Sequence, residues 1–85
     1  MKRKPVESSN ICAIGYDPAS KILELEFGIG VDMGHSTNRL YQYFDVPFEV
    51  HRDLMDAPSK GEELYYKVSY KFKYQYLGTI ADEEG

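Results

Sequence analysis

Arg39, Tyr41 and Tyr43 have the types and the spacing of a small nucleic-acid-binding site. On a β-strand, their side chains would project from one face, because successive side chains alternate between the two faces of a sheet. The two rings could then stack unpaired bases, and the guanidinium could contact a phosphate. Alternatively, the tyrosines could be strand residues that pack on the core with their hydroxyls at the surface. The buried face of this strand decides between the two interpretations, and the sequence leaves both open.

Three lysines near the end of the chain are further candidate phosphate contacts. They are Lys67, Lys71 and Lys73. Apolar or aromatic residues occupy every even position from 68 to 76, so an extended segment would place the rings and the lysines on opposite faces. This arrangement favours a buried ring stripe with solvated lysines. In a helical segment, Tyr66 and Tyr70 would instead share a face near two of these lysines, which favours binding.

The sequence contains no complete set of catalytic or metal-ligating residues. His35 and His51 are the only histidines, and their spacing matches no zinc motif. Cys12 lies in an apolar run, where a small buried thiol is the expected role. Glu24 and Glu26 form a pair of carboxylates, but alternation predicts that they face solvent. We therefore predict no enzymatic activity, no metal and no cofactor.

Length and composition predict one small cytoplasmic domain. The chain has 85 residues, a net charge of −4 and one cysteine, which excludes an internal disulfide. It has neither an apolar run long enough to cross a membrane nor a signal peptide, so we expect no membrane association. We expect an ordered core over about residues 6–77, with 1–5 and 78–85 flexible.

Hydrophobic periodicity predicts an α+β fold with about three antiparallel strands. The expected strands cover about 10–17, 20–27 and 39–45, and the turn residues between the first two indicate a hairpin. The glycine-rich segment 28–38 is typical of a long mobile loop.

A helix over about residues 47–56 is expected to pack on one face of this sheet. Asp45 is its expected cap, Pro47 would lie in its first turn, and Pro58 would end it. Residues 60–77 are expected to form a short helix to about residue 66, followed by an extended segment. The predicted core residues are Leu23, Leu25, Phe27, Phe48, Val50, Leu54 and Met55.

An ordered series of motifs resembles the KTSC domain. The motifs are Val6-x-Ser8-Ser9-Asn10-Ile11, Ile14-Gly15-Tyr16-Asp17, Leu23-x-Leu25-x-Phe27, Tyr41-Gln42-Tyr43, Val46-Pro47 and Ser59-x-Gly61. That domain occurs at the C-terminus of some lysyl-tRNA synthetases and as free-standing small proteins of bacteria and phages. The resemblance covers roughly residues 6–76 and implies RNA binding only through the synthetase context.

Three functions follow as hypotheses for this non-catalytic domain. The first is binding of single-stranded or tRNA-like RNA, with bases stacked on Tyr41 and Tyr43 and phosphates held by Arg39 and the three lysines. The second is binding to an unknown protein, with the tyrosines as core or interface residues in a monomer or weak dimer. The third is sequestration of a small nucleotide between rings. The net negative charge disfavours high RNA affinity, because phosphate neutralisation supplies most non-specific binding.

Overall fold

The strands lie side by side across the sheet in the order in which they occur along the chain. The computed structural model describes residues 2–8, 11–32, 35–69 and 71–81. Within these residues, five strands form one antiparallel sheet, and two helices lie between its fourth and fifth strands in sequence. The elements are β1 (Lys4–Pro5), β2 (Ile11–Asp17), β3 (Ile22–Asp32), β4 (His35–Tyr43), α1 (Phe48–Asp56), α2 (Lys60–Lys67) and β5 (Tyr74–Ala81).

The α+β class is confirmed, but the expectation of about three strands is an undercount. The two additional strands, β1 and β5, form the two edges of the sheet. They extend the sheet from Lys4 to Ala81, past the limits 6–77 that the sequence predicted for the ordered core. β1 was missed because it has only two residues. β5 corresponds to the extended segment predicted after the second helix, but its pairing with β4 was not predicted because the two strands are distant in sequence.

The predicted hairpin between β2 and β3 is present, and Asp17 organises its turn. One carboxylate oxygen of Asp17 accepts a hydrogen bond from the amide of Ala19 at 3.1 Å, and the other accepts one from the Ser20 hydroxyl at 2.8 Å. These two bonds, the Ser20 bond first, lower the pKa of Asp17 below its ordinary value because they favour the charged carboxylate. Lys21 closes the turn with a positive φ of 60°.

The expected loop over residues 28–38 is wrong, because β3 and β4 continue through most of this segment. Gly28 pairs with Asn38 and Asp32 pairs with His35, with a register shift between Gly28 and Val31. The register shift accommodates the irregular spacing of the glycines. The strands stay paired because their hydrogen bonds join backbone atoms and do not require alternating side chains. Met33 and Gly34 lie outside the described residues.

Helix α1 begins after Pro47, close to the predicted position, but Asp45 does not cap it. Pro47 itself is the N-cap residue and offers no side-chain hydrogen bond, while Asp45 has a positive φ of 56° in the link from β4. The link is held by Val46, whose amide donates to the carbonyl of Lys21 at 2.9 Å. The carbonyl of Val46 accepts a hydrogen bond from the hydroxyl of Tyr16 at 2.6 Å. The helix ends before Pro58, as predicted.

Helix α2 confirms the predicted short helix, but the extended segment begins later than the alternating sequence suggests. Val68 is the C-cap residue of α2 and is fully buried, and residues 69, 71 and 72 lie in turns and bends before β5 starts at Tyr74. Neither helix in the described part of the chain has the length and apolarity needed to cross a membrane.

The core lies between the sheet and the two helices. Its buried members are Ile11, Ile14, Leu23, Leu25, Tyr43, Val46, Leu54, Leu64 and Val68. Phe27, Val50 and Met55 pack against this cluster while partly exposed. Phe48 was expected in the core, but 52% of its surface is exposed, because it begins α1 at the margin of the sheet.

Candidate aromatic binding surface

Arg39, Tyr41 and Tyr43 lie on the face of β4 that carries the core. They pair with Phe27, Leu25 and Leu23 of β3, respectively, and those three partners face the helices. Burial decreases along the strand, since Tyr43 is buried, Tyr41 is half-buried and Arg39 is exposed. The question that the sequence left open therefore has a different answer at each of the three positions.

Tyr43 is a core residue. Only 6% of its surface is exposed, and it belongs to the same cluster as Leu54 and Leu64 of the helices. Burial raises the pKa of its hydroxyl, and the nearby hydroxyls of Tyr41 and Tyr74 raise it further. A base could not stack on this ring without displacing core side chains.

Tyr41 lies within a cluster of rings to which β5 contributes the exposed members. The register places Tyr76 opposite Tyr41, with ring centroids 5.0 Å apart, and Tyr74 is 5.8 Å from Tyr41. Phe27 contacts the other side of Tyr41 in a T-shaped arrangement at 5.5 Å. Tyr74 is 58% exposed and Tyr76 is 46% exposed. We name Tyr41, Tyr74 and Tyr76 the aromatic surface.

One cation, Arg39, lies on the same face as the aromatic surface, near one end of it, where it pairs with Thr79. Lys73 precedes Tyr74 at the other end, where its backbone carbonyl accepts a hydrogen bond from the amide of Phe44 at 2.9 Å. Arg39 and Phe44 are five positions apart, which corresponds to roughly 17 Å of strand. Arg39 makes none of the ion pairs found among the side chains that the structure describes.

The other two predicted lysines are exposed on different elements. Lys67 lies in the last turn of α2, and Lys71 lies in the turn that follows. The structure thus places Lys73 directly before β5 in the chain and does not gather the three lysines at one site. Tyr70 lies outside the described residues.

The exposed rings of β5 are the functional candidates that the sequence interpretation missed. Tyr74 and Tyr76 were assigned to a buried stripe, and alternation does place them on one face of a strand. Alternation cannot show whether helices cover that face along its whole length. No local signal distinguishes Phe72, which packs on the core, from the two exposed tyrosines.

The opposite face of the sheet carries a network of polar side chains that we name the outer polar network. Its members are Arg3, Glu24, Glu26, Asn38 and Gln42. Each of the four carboxylate oxygens accepts one hydrogen bond: Arg3 donates to both glutamates, Gln42 donates to Glu24 at 2.7 Å, and Asn38 donates to Glu26 at 2.5 Å.

The expected solvent exposure of the two glutamates is therefore wrong for Glu24, which is 4% exposed. Desolvation acts to lower the pKa of Arg3, but its bonds and its attraction to both glutamates outweigh this effect, so the net shift is upward. Gly15 makes the approach possible, because an added Cβ would lie 2.7 Å from the backbone oxygen of Lys2. Within the described residues, no three His, Cys, Asp or Glu side chains form a group able to hold a metal ion.

Sequence comparison assigns the domain. The profile of the KTSC domain family matches residues 7–74. The chain belongs to the KTSC domain family. This assignment confirms the resemblance that the motifs indicated.

Relatives of this KTSC chain include both small proteins and parts of a larger enzyme. A protein of Tsukamurella paurometabola is 43% identical over 70 residues, which cover 82% of this chain and 92% of that protein. A lysine–tRNA ligase of Nostoc sp. is 38% identical over 71 residues, which cover 84% of this chain but 11% of the ligase. The chain thus spans about a tenth of the ligase, so the activity of that enzyme does not transfer to it.

A solved structure shares the fold. The crystal structure of a KTSC domain protein from Yersinia pestis aligns with a TM-score of 0.75 at 38% identity. The alignment covers 91% of this KTSC chain and 97% of that chain.

Proposed function

We propose that this KTSC chain is a non-catalytic module that binds unpaired bases of RNA on its aromatic surface. The observation that carries the proposal is the exposure of Tyr74 and Tyr76 beside Tyr41, with Arg39 at the end of the same face. Rings in such a position offer their faces to bases, and stacking tolerates any base because every base has a π-face.

The arrangement of the rings supports stacking of more than one base. Tyr41 is held by Phe27 on one side and by the two β5 rings on the other, so it serves as a fixed support. Tyr74 and Tyr76 stand on this support with about half of their surface open to solvent. Rigid aromatic contacts lose little conformational entropy on binding, which favours affinity.

Electrostatics limits the affinity that this surface can reach. The chain carries a net charge of −4. We assign the phosphate contacts to Arg39, on the ring face of β4, and to Lys73, which precedes Tyr74 in the chain. Because each neutralised phosphate of a single strand contributes about 0.7 to the slope of log affinity against log salt, two contacts predict a shallow slope of roughly −1.4. The expected interaction is weak, depends on stacking and is only moderately sensitive to salt.

The occurrence of a related sequence within a lysine–tRNA ligase agrees with a role near RNA. This occurrence supports the proposal only as context, because in the small relatives the matched region makes up 92% and 75% of the whole protein.

The test is an amide-shift titration of the full chain with tRNA and with a short mixed-sequence single-stranded RNA at low and moderate salt. We expect shifts to cluster on Arg39, Tyr41, Tyr74 and Tyr76. Replacing Tyr76 with Ala should weaken binding by roughly 5- to 150-fold, the range measured for one stacking ring. Tyr66→Ala is the matched control, because Tyr66 is an exposed tyrosine on α2.

Absence of shifts at low salt, where phosphate contacts are strongest, would retire the RNA proposal. Equal losses in Tyr76→Ala and Tyr66→Ala would also contradict it, because they would show that binding does not depend on this surface.

Protein binding is the second candidate function, and the position of β5 favours it. β5 is an edge strand of eight residues, and Leu77 is exposed together with the two tyrosines. An edge strand of this kind can pair with a strand of a second protein, with aromatic side chains adding contact area. Association that depends on protein concentration but not on salt would support this candidate, and sedimentation of the free chain measures it.

A further inference from the structure

A cleft lies on the helix face of the sheet, at the edge opposite the aromatic surface, where β1 and β2 approach α1. It has a volume of about 390 Å³, within the range of small-ligand sites. Side chains from β2 and α1 form its walls, and the segment around β1 forms its rim. The residues on which the argument rests are Lys2, Lys4, Tyr16, Phe48, His51 and Arg52.

Three rings line this cleft, and one of them is exposed. Tyr16 stacks on His51 with the ring centroids 4.8 Å apart and the planes 9° apart. Phe48 lies 6.2 Å from Tyr16 and 6.0 Å from His51, yet half of its surface remains open to solvent. A ring that its neighbours hold while its outer face is open is a ready partner for a planar group.

Three cations line the cleft: Lys2, Lys4 and Arg52, together with one carboxylate, that of Asp56. The carboxylates of Glu49 and Asp17 also act on the ring of Tyr16, so the positive charge is local to the side of the cleft that the lysines form. Lys4 pairs with Ile14, whose side chain faces the core, so Lys4 lies on the helix side of the sheet while Arg3 faces the outer polar network. Arg52 pairs with Asp53 at 3.2 Å in an exposed contact that a ligand anion can replace at little cost.

His51 adds an unmet hydrogen-bonding requirement. Its Nδ1 atom is buried and has no hydrogen-bond partner among the described residues. Burial lowers the pKa of His51, so the ring is neutral at neutral pH, and one of its nitrogens is an acceptor. Because this atom is covered by the surrounding side chains, the groups that face a ligand are the exposed ring of Phe48 and the three cations.

We propose that this cleft binds a nucleoside monophosphate, with its base against Phe48 and its phosphate between Lys2, Lys4 and Arg52. The proposal requires a ligand that combines a planar ring with an anion, because the cleft offers rings and cations side by side and in a space suited to one such unit. This site is separate from the aromatic surface and does not depend on the RNA-binding proposal.

The test is an amide and aromatic shift titration of the full chain with AMP, with adenosine and ribose 5-phosphate as partial ligands. AMP should give saturable shifts at Phe48, His51 and Lys4, and each partial ligand should bind at least about fivefold more weakly, since each lacks one type of contact. The Phe48→Ala variant should lose at least about fivefold in AMP affinity. It should remain folded, because the ring that it removes is largely exposed.

The variant Lys4→Gln tests the phosphate contact and leaves the rings in place. It should weaken binding of AMP more than binding of adenosine, because adenosine has no phosphate. Lys67→Gln is the matched control, an exposed lysine on α2, and should leave AMP binding unchanged. No saturable shift at AMP concentrations on the order of 10 mM would overturn the proposal. Shifts confined to the aromatic surface, or equal affinity for AMP and adenosine, would overturn it as well.

Discussion

The two faces of the sheet are built from alternating residues of its strands, but they use their side chains in opposite ways. On the outer face, the carboxylate oxygens of Glu24 and Glu26 are each bonded to Arg3, Gln42 or Asn38. On the helix face, the aromatic surface leaves Tyr74 and Tyr76 about half exposed. Charged groups are thus satisfied within the molecule, while apolar rings are left open.

The difference teaches that residue type alone does not locate a binding site. Charged residues are the usual markers of a functional surface, yet here the outer carboxylates have no unpaired oxygen to offer a ligand. Burying such groups is tolerated because every one is bonded. The open rings, in contrast, gain free energy from contact with a planar partner. The outer polar network is therefore structural, and the aromatic surface stays the proposed binding site.

The largest expected effect separates the core tyrosine from the exposed ones. Replacing Tyr43 with Ala should lower the free energy of unfolding by about 3–5 kcal/mol, because it removes a buried aromatic side chain. Replacing Tyr74 with Ala should cost less than about 1 kcal/mol, since most of its ring already contacts water. Urea denaturation followed by circular dichroism measures both values.

A similar loss of stability in the two variants would contradict the division between core and surface rings. The free energy of unfolding of Tyr66→Ala, measured in the same way, provides a reference for removing an exposed tyrosine elsewhere in the chain.

An intermediate effect is expected in the outer polar network. Replacing Arg3 with Met should lower the free energy of unfolding by about 1–3 kcal/mol, because Glu24 would stay buried with one oxygen unpaired. Arg52→Met is the matched control: its pair with Asp53 is exposed on both sides, so its loss should cost about 0–1 kcal/mol. RNA titrations of Arg3→Met should match the wild type if this face is purely structural.

Gly15→Ala offers an independent way to break the same network. A methyl group at this position would contact the backbone of Lys2 at 2.7 Å and push Arg3 away from the sheet. The double variant with Arg3→Met should therefore be less destabilised than the sum of the two single variants. Full additivity would show that Gly15 does not act through Arg3.

The smallest expected effect concerns protonation of His51 on the helix face. Burial holds its pKa below the ordinary value, so between that lowered pKa and about 6.5 the unfolded chain binds more protons than the folded one. The folded state is therefore most stable, as far as His51 is concerned, above about pH 6.5, where this histidine is neutral in both states. That stability is lost as the pH falls from about 6.5 through the lowered pKa that His51 has in the folded state.

His51→Phe keeps a ring against Tyr16 but cannot titrate, so its unfolding free energy should fall less than that of the wild type between about pH 7.5 and pH 5. Parallel pH profiles of the two proteins would mean that the folded state does not perturb this histidine.

Sequence patterns predicted the elements whose signals are local. The alternation of Leu23, Glu24, Leu25, Glu26 and Phe27 identified the two faces of β3 correctly, and Asp17 and Pro58 marked the ends of elements where the structure has them. These signals depend on neighbouring residues, and their physical causes act over a few positions.

Long-range pairing explains most of what the sequence did not predict. Arg3 reaches carboxylates more than twenty positions away, and Tyr76 is opposite Tyr41, so neither contact leaves a periodic trace. The sequence predicted that Arg39, Tyr41 and Tyr43 share one face of a strand, as they do, but it left open which face is buried, and it did not single out Tyr74 and Tyr76 as exposed. The helices cover Tyr43 but leave Tyr74 and Tyr76 exposed, and only the assembled fold shows which part of the sheet the helices cover.

The order of the strands has a consequence for how the domain folds. β2, β3 and β4 are joined by short connections, so their ladders close small loops and can form early. β5 is separated from β4 by residues 44–73, a segment that contains both helices. Closing that larger loop is entropically costlier, so we expect the last strand to dock late and to detach first in partial opening. The aromatic surface needs rings from both β4 and β5, so we expect it to be completed late in folding and to come apart in partial opening at β5 before the core is lost.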